Sequence, residues 1–406
     1  MKVVVAQRGA REHYLAARAL ARSGQLAALF TDWYAPKEWL FKRILLAFGQ
    51  TGRRMCAAKA EGVHDSFVMT MRWRTIFARL VEKFSCNDES LYEKFLRADV
   101  SFARQLAAAN LPNHDVIFVY SYAALEAIRV ARSRGILTVL DQIDPGPVEF
   151  RLVAAEQDAW PQYALGSADY PKEYYERLRQ EWSVADVIIV NSEWSRDALI
   201  AEGVREEKIE ILPLGYENNH CVQSVSSTNK KSLRVLWLGQ VNIRKGIQYL
   251  VEAARLLKGS PVEIVVAGPI QIRSEVIASA PNNIQWLGPV TRDSVGTLYA
   301  SSDVFVLPTI SDGFAITQLE AMAHGLPVIT TTHCGQVVQD GLNGFVIPSR
   351  SAEALAEAIL RFVRDRKMVS DMKPACLERS RQFGVDVYQQ RLLSIIENRL
   401  SASSRA

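Results

Sequence analysis

Cysteine is scarce in this 406-residue chain: Cys56, Cys86, Cys221, Cys334 and Cys376 stand far apart and form no C-x-x-C pair. That spacing argues against a disulfide framework, a zinc ribbon or a dithiol redox centre, and leaves reduced structural thiols. Long apolar runs are absent too. Nothing approaches the ~20 consecutive apolar residues of a bilayer-crossing helix, and after Met1 and Lys2 only Val3 to Ala6 are apolar before Gln7 and Arg8. We expect neither a span nor a leader, and a protein of the cytoplasm. No self-similar period of about 20–50 residues marks a solenoid or propeller. The fingerprint G-x-G-x-x-G is missing, since the turn after the first apolar stretch holds one glycine, Gly9, which disfavours a dehydrogenase. Charge of one sign is lacking as well. With 48 basic and 44 acidic residues the formal net charge is +4, too little for a nucleic-acid partner.

What is present is the balance of an ordinary globular protein, 49% hydrophobic and 23% charged. Two domains are expected at this length, because a single core stops growing at about 250–300 residues. Apolar, β-branched runs alternate with helical-period stretches, the pattern of βα units on a parallel sheet. Strands are expected at 2–6, 26–30, 115–120, 136–141, 186–191 and 208–212, and again at 234–238, 262–267, 284–287, 304–307, 327–330 and 344–347. Between the two sets the pattern lapses into Pro, Gly and Asn and a Ser/Thr/Lys stretch from Ser224 to Ser232, which reads as a linker. The fold class is therefore α/β, two Rossmann-like doubly wound domains facing across a cleft. We place the N-terminal domain at 1–215, the linker at 216–232 and the C-terminal domain at 233–383. A last helix, 384–406, is expected to cross back to the first domain. Segment 33–110 fits the alternation poorly and reads as helices inserted between the second and third strands. Ligands of such sheets bind beyond the carboxyl ends of the strands, so the active site is expected between the domains.

The densest chemistry lies at 307–328. A strand ends at Pro308, a loop runs through Ser311, Asp312 and Gly313, and a helix is expected from near Ala315 to Gly325, with Glu320 about two turns in. Free backbone N–H groups and the positive end of that helix would face the cleft, with Gly313, Phe314, Ala315 and Ile316 on the side of a diphosphate. Asp312 and Glu320 would bracket the phosphates and accept hydrogen bonds from the hydroxyls of a sugar and a ribose. A second stretch, Val235 to Ile247, runs from a strand into Gly239 and presents Arg244 and Lys245 just before the next helix. Such a loop brings positive charge to phosphates that leave as an anion.

These stretches resemble the family-four retaining glycosyltransferases of GT-B fold, the glycosyl transferases group 1. The first is similar to that family's acidic-x7-Glu motif, and the resemblance implies that Glu320 holds the ribose while Asp312, where the family usually has Glu, contacts the donor sugar. Ala315 stands where Gly is frequent. The second is similar to the G-R-x4-K-G loop, whose Arg and Lys grip the donor diphosphate. Lys245 and Gly246 match; Gln240 takes the place of the Arg, and we expect Arg244 to supply its charge. Ordered, weaker matches lie at 185–193, 211–217, Gly335 and 340–345, so the resemblance is strong over about 185–350 and thin before it. It implies a nucleotide-sugar donor, UDP- or GDP-linked, a glycan or lipid-linked acceptor, and hexosyl transfer with retention of configuration in polysaccharide biosynthesis. Asp312, Glu320 and Lys245 would be the catalytic residues, and the departing phosphate oxygen would take the acceptor's proton.

The other common architecture of such enzymes binds a divalent ion through D-x-D, and no two aspartates of this chain stand two apart. No metal and no cofactor are expected; the nucleotide sugar is a co-substrate. On the acceptor side the resemblance points to Arg8 and Gly9 in the loop after the first strand, with His13 in the helix that follows. Asp141 and Asp144 sit where the family commonly has a His-Asp pair. A non-catalytic sugar-nucleotide binding protein and a GT-B-fold epimerase stay open as alternatives. Residues 33–83 hold ten basic side chains against four acidic ones, interleaved with Trp33, Tyr34, Trp39, Phe41, Phe48, Phe67, Trp73 and Phe77. That composition suits a segment resting on an anionic inner-membrane surface; the other reading is a helical insertion whose aromatics are core.

Overall fold

A computed structural model describes residues 1–35, 39–46, 49–71, 90–166, 169–217 and 232–403, the side chains of 39, 40, 44, 50, 51, 54 and 403 excepted. Seven strands, β1 (Val3–Gln7), β2 (Leu26–Thr31), β3 (Val68–Thr70), β4 (Val116–Tyr120), β5 (Leu137–Gln142), β6 (Val187–Val190) and β7 (Ile209–Ile211), form one sheet in the order β3-β2-β1-β4-β5-β6-β7. Six more, β8 (Leu233–Leu238), β9 (Val262–Ala267), β10 (Ile284–Gly288), β11 (Val304–Leu307), β12 (Val328–Thr331) and β13 (Gly344–Ile347), form a second in the order β10-β9-β8-β11-β12-β13. Every pairing is parallel; Val5, for example, lies between Leu29 and Phe118. Parallel strands covered by helices on both faces read as unbroken apolar runs, and β1, β4, β6 and β11 are buried from end to end. In each sheet the order reverses at one point, between β1 and β4 and between β8 and β11. The loops that follow these four strands carry most of the candidate residues, as the switch-point rule requires.

Three local readings need correction. Segment 33–110 holds helices Trp39–Leu46, Gly49–Ala57 and Leu91–Ala107, but also β3, which extends the sheet beside β2. A three-residue strand gives too short an alternation to show in sequence. The helix after β11 spans only Thr317–Ala323, because Ala315 takes a left-handed φ of 62° that no regular helix continues. Glu320 thus sits in its first turn, not its second. His13 lies outside the first regular helix, Leu15–Arg22: with Glu12 and Tyr14 it forms a left-handed turn, φ 50–60°.

The two halves meet closely. Val385, Tyr388, Leu392 and Ile396 of the last helix, Val385–Ser403, repeat at helical spacing and pack into the core of the first sheet with Val5, Leu15 and Phe118. Where the chain passes between the sheets, Tyr216 donates its N–H to Phe383 O at 2.7 Å. Helix Pro147–Ala159 and the turn after it reach the second half: buried Glu156 accepts from Gln248 and Tyr249, each at 2.9 Å, and from Arg350 at 2.5 Å. In the basic segment, Trp33, Leu45 and Met55 form a small core with Phe41, and Tyr34 joins the main one. Those aromatics serve packing, whereas Arg43, Arg53 and Lys59 are exposed. Lys37, Phe48, Arg72, Trp73, Arg74, Phe77, Arg79 and Lys83, and the side chains of Trp39 and Arg54, lie outside the described residues. Among the described residues no helix is long and apolar enough to cross a membrane.

Candidate active site

The loop after β8 is shaped by a cap and a glycine. Asn242 Oδ1 accepts the Lys245 N–H at 3.1 Å and closes a short turn, Ile243–Lys245. Gly246 then takes φ 73° with its α-carbon so close to the next loop that a Cβ would stand 1.8 Å from Pro308 O; any side chain there would prise the two loops apart. Arg244 O ties them further, accepting from Ile310 N at 2.9 Å and Thr309 Oγ1 at 3.1 Å. Gly239 closes β8 by donating its N–H to Ala267 O. The two cations are therefore presented on a rigid base.

Both cations meet carboxylates. Lys245 Nζ forms an ion pair with Asp312, and Arg244 reaches Ser311 O at 3.3 Å and Glu149 of the first half at 3.5 Å. Burial, with Arg244 beside it, pushes the Lys245 ammonium down to about 7; contact with Asp312 acts in the opposite sense. Burial likewise raises Glu149, against the pull of Arg244. The arrangement is two neighbouring basic side chains, each facing a carboxylate, one of those carboxylates supplied by the first half.

The loop of Asp312 is braced from the first half. Trp194 stacks on His333, centroids 4.1 Å apart at 9°, and its indole N–H donates to Ser311 Oγ at 3.1 Å. Asp312 N–H donates to His333 O at 2.9 Å. A Cβ on Gly313 would stand 2.5 Å from Ile143 O, so glycine lets this loop lie against the loop after β5. Phe314 and Ala315 are buried, and Phe314 O accepts from Gly335 N and Gln318 Nε2. Ile316 caps the short helix. There Glu320 Oε2 accepts from the hydroxyl of the fully buried Tyr299 at 2.8 Å, which fixes the carboxylate's direction.

On the facing side the candidates separate. His13 comes near Glu320: partial burial and the charges of Arg292 and Arg18 hold it below the usual histidine range, and Glu320 opposes them. Gly9 N–H donates to Asp32 Oδ1 at 2.7 Å, and Arg8 pairs with buried Asp99 at 2.7 Å. Asp141 turns to the side of the last helix. There burial, and Glu12 beside it, keep its carboxyl well above the usual range, and burial raises Glu12 to about 7. Asp144 turns the other way, into a cavity of about 350 Å³ that also exposes Arg11, Glu149 and Arg244. Sequence reasoning missed Arg11, Glu149, Arg292 and Tyr299. Arg11 lies two residues beyond Gly9, so the same loop pointed to it, whereas nothing local marks Tyr299 as the partner of Glu320. Among the described residues no three His, Cys, Asp or Glu side chains are grouped to hold a metal.

The family model of the glycosyl transferases group 1 matches residues 232–365, and that of the glycosyl transferase 4-like domain matches residues 14–215. The chain belongs to the group 1 glycosyltransferases. Its fold is GT-B, with both sheets present. The chain is 24% identical over 215 residues to the amylovoran biosynthesis glycosyltransferase AmsK of Erwinia amylovora, covering 49% of this chain and 53% of AmsK. It spans about half the length of the curated relatives it matches. Among solved structures, sucrose-phosphate synthase from Thermosynechococcus elongatus superposes with a TM-score of 0.67 at 18% identity over 99% of this chain and all of that one. Anabaena HepE in complex with UDP and glucose superposes with a TM-score of 0.63 at 15% identity over 98% of this chain and all of HepE.

Proposed function

We propose that this protein transfers a hexosyl group from a nucleotide sugar to a glycan acceptor with retention of configuration. The observation that carries the reading is the meeting of Lys245 and Arg244, from the loop after β8, with Asp312 and Ser311 of the segment after β11, whose short helix carries Glu320. In the reaction the bond from the sugar's anomeric carbon to the diphosphate breaks and a bond to an acceptor hydroxyl forms on the same face. Negative charge grows on the leaving phosphate oxygen, where Lys245 and Arg244, once the bound diphosphate has replaced Asp312 and Glu149 as their partner, stabilise it. That oxygen takes the acceptor's proton. Glu320, aimed by Tyr299, accepts from the ribose hydroxyls, and Asp312, once parted from Lys245, accepts from the sugar. UDP is the first donor nucleotide to test and GDP the second: HepE holds UDP. AmsK, named for amylovoran biosynthesis, supports a polysaccharide as product. Transfer is expected to survive EDTA. Exposed Arg43, Arg53 and Lys59 would hold the enzyme to an anionic membrane, a reading that co-sedimentation with anionic liposomes checks. A panel of UDP- and GDP-sugars screened by thermal shift, then incubated with and without oligosaccharide acceptors, tests the reading. Transfer or slow donor hydrolysis supports it; isomerised free donor indicates an epimerase, and binding without turnover a non-catalytic protein.

A further inference from the structure

Helix Pro147–Ala159 belongs to the first half by sequence and to the second by packing. Its carboxylate Glu156 is 2% exposed, and Gln248, Tyr249 and Arg350, which donate to it, are second-half residues. Trp160, which ends the helix, packs edge-on against Tyr249 at 5.6 Å and donates its indole N–H to that hydroxyl at 3.3 Å. Tyr163 and Ala164 then enter the core of the second sheet, and Arg273 donates to Ala164 O at 2.7 Å. Arg350 reaches Glu156 from a left-handed φ of 64°, which an arginine takes only where its surroundings impose it. Toward the first half the same helix holds little. Half-buried Phe150 meets Tyr92 and Tyr175 edge to face, each at 6.0 Å, and exposed Arg151 pairs with Glu202, which keeps Arg179 as a partner if Arg151 leaves. Such an exposed arginine pair contributes little, whereas parting Glu156 from Arg350 would strand a buried charge, which is strongly destabilising. When the halves move, the contacts with the first half give way.

We infer that residues 147–164 form a strap that travels with the second half as one body when the cleft opens and closes. Domains joined through linkers move relative to one another by default, and a few residues at element ends absorb the turn. The strap has such places at both ends. Gly146, just before the helix, has φ 60° and ψ −134°, which glycine alone takes freely, and Leu165 and Gly166 after it are exposed. The consequence falls on the cavity of about 350 Å³, whose walls then belong to different bodies. Phe150, Val153 and Gln157 of the strap line one wall. Tyr122 and Tyr174 of the first half line the other, an aromatic one, stacked with centroids 4.6 Å apart at 11°. That wall is held in place: Tyr122, at a left-handed φ of 76°, donates its N–H to fully buried Glu181 and its hydroxyl to Asp144, each at 2.7 Å. The second half therefore sets the width of a cavity built from first-half chain, and a ligand that shifts the second half reshapes the cavity without entering it. The inference concerns the fold and holds whatever the donor is.

Double electron–electron resonance on the full chain tests this. Cys56→Ser, Cys86→Ser and Cys221→Ser clear the background, since Cys334 and Cys376 are buried. Spin labels are placed in pairs through Ser133→Cys in the first half, Ala155→Cys in the strap and Lys258→Cys in the second half, three exposed positions. Distances are measured in the free chain and with UDP or GDP as probes that shift the cleft, which the 133–258 distance reports. The 133–155 distribution should broaden and shift together with 133–258, while 155–258 stays one narrow peak at one position. Arg350→Gly, which removes the ion pair and relieves the left-handed φ, should broaden 155–258, as should Glu156→Gln. A 155–258 distance that follows 133–258 while 133–155 holds still overturns the inference and returns the strap to the first half. A 133–258 peak that is narrow and unmoved under every condition also overturns it, because there is then no motion for the strap to follow. So does a 155–258 peak left as narrow by both substitutions as it was without them.

Discussion

Truncating Glu181 to alanine removes one carboxylate that accepts three backbone N–H groups, those of Tyr122 at 2.7 Å, Ala124 at 2.8 Å and Leu125 at 3.1 Å. All three donors lie in buried chain at the switch point after β4. A buried donor left unpaired costs about 1–3 kcal/mol. Three such donors, less the strain that Tyr122 sheds once its φ is free and the water that enters the vacated space, give a loss of about 3–4 kcal/mol. For a domain of 150–250 residues each kcal/mol lowers the melting temperature by about 2–4 °C, so a fall of roughly 10 °C is expected. Glu181→Gln keeps one acceptor oxygen but turns an N–H₂ group toward the donors, and should fall between wild type and alanine. Differential scanning calorimetry gives the stability, and hydrogen exchange at 122, 124 and 125 gives the local effect. The reasoning is refuted if Glu181→Ala melts within about 2 °C of wild type with these amides still protected.

Other expectations follow from charge and orientation. Lys245 is pushed down to about 7 in the free protein, and a diphosphate binds its ammonium form. Donor affinity is therefore full below pH 7 and falls above it, at most about tenfold per unit. Asp312 delays the fall, and Lys245→Arg abolishes it; calorimetric titrations of a nucleotide sugar between pH 7 and 9 check this. Burial raises the Glu12 carboxyl to about 7 and the Asp141 carboxyl well above its usual range, so their contribution to stability is present below about pH 4 and is lost as pH rises, for Glu12 through about 7. Asp141→Asn should melt above wild type by a margin that grows over that window, and an unchanged margin from pH 4 to 8 would dismiss the pairing. Tyr299→Phe frees the Glu320 carboxylate and should weaken nucleotide binding about tenfold, the ~1.5 kcal/mol of a hydrogen bond to a charged group. The corresponding 2′-deoxy nucleotide should lose less from the substitution, a difference that mere loosening of the helix would not produce.

The two sheets were legible because parallel, doubly covered strands spell continuous apolar runs, and β9, β11 and β13 fall on the expected residues. β3 was illegible for the opposite reason, three half-buried residues between helices. The helix after β11 shows where propensity stops: Ala315 is a good helix former, yet the loop must fold against Ile143 and Phe314 must be buried, so Ala315 is left-handed. Motif spacing pointed to Lys245, Asp312 and Glu320, which lie in the segments that follow the central strands β8 and β11. What spacing could not show is pairing. The contacts of Lys245 with Asp312, Arg244 with Glu149 and Glu320 with Tyr299 join residues distant in the chain. Asp141 and Asp144 differ by three positions, yet one faces the last helix and the other the aromatic cavity. Basic and aromatic composition left two readings open at Trp33 and Tyr34, because interleaving alone does not say which side chains turn inward; both are buried in cores.

The most direct test follows release of free sugar and transfer to acceptor from the nucleotide sugar that stabilises the wild-type protein, in wild type, Lys245→Ala and Glu320→Ala. The account predicts turnover by wild type and loss of at least about 100-fold in kcat/KM in each variant, ~2.7 kcal/mol of transition-state binding, with melting temperatures in the absence of nucleotide close to wild type. Full activity in both variants with the same donor would contradict it.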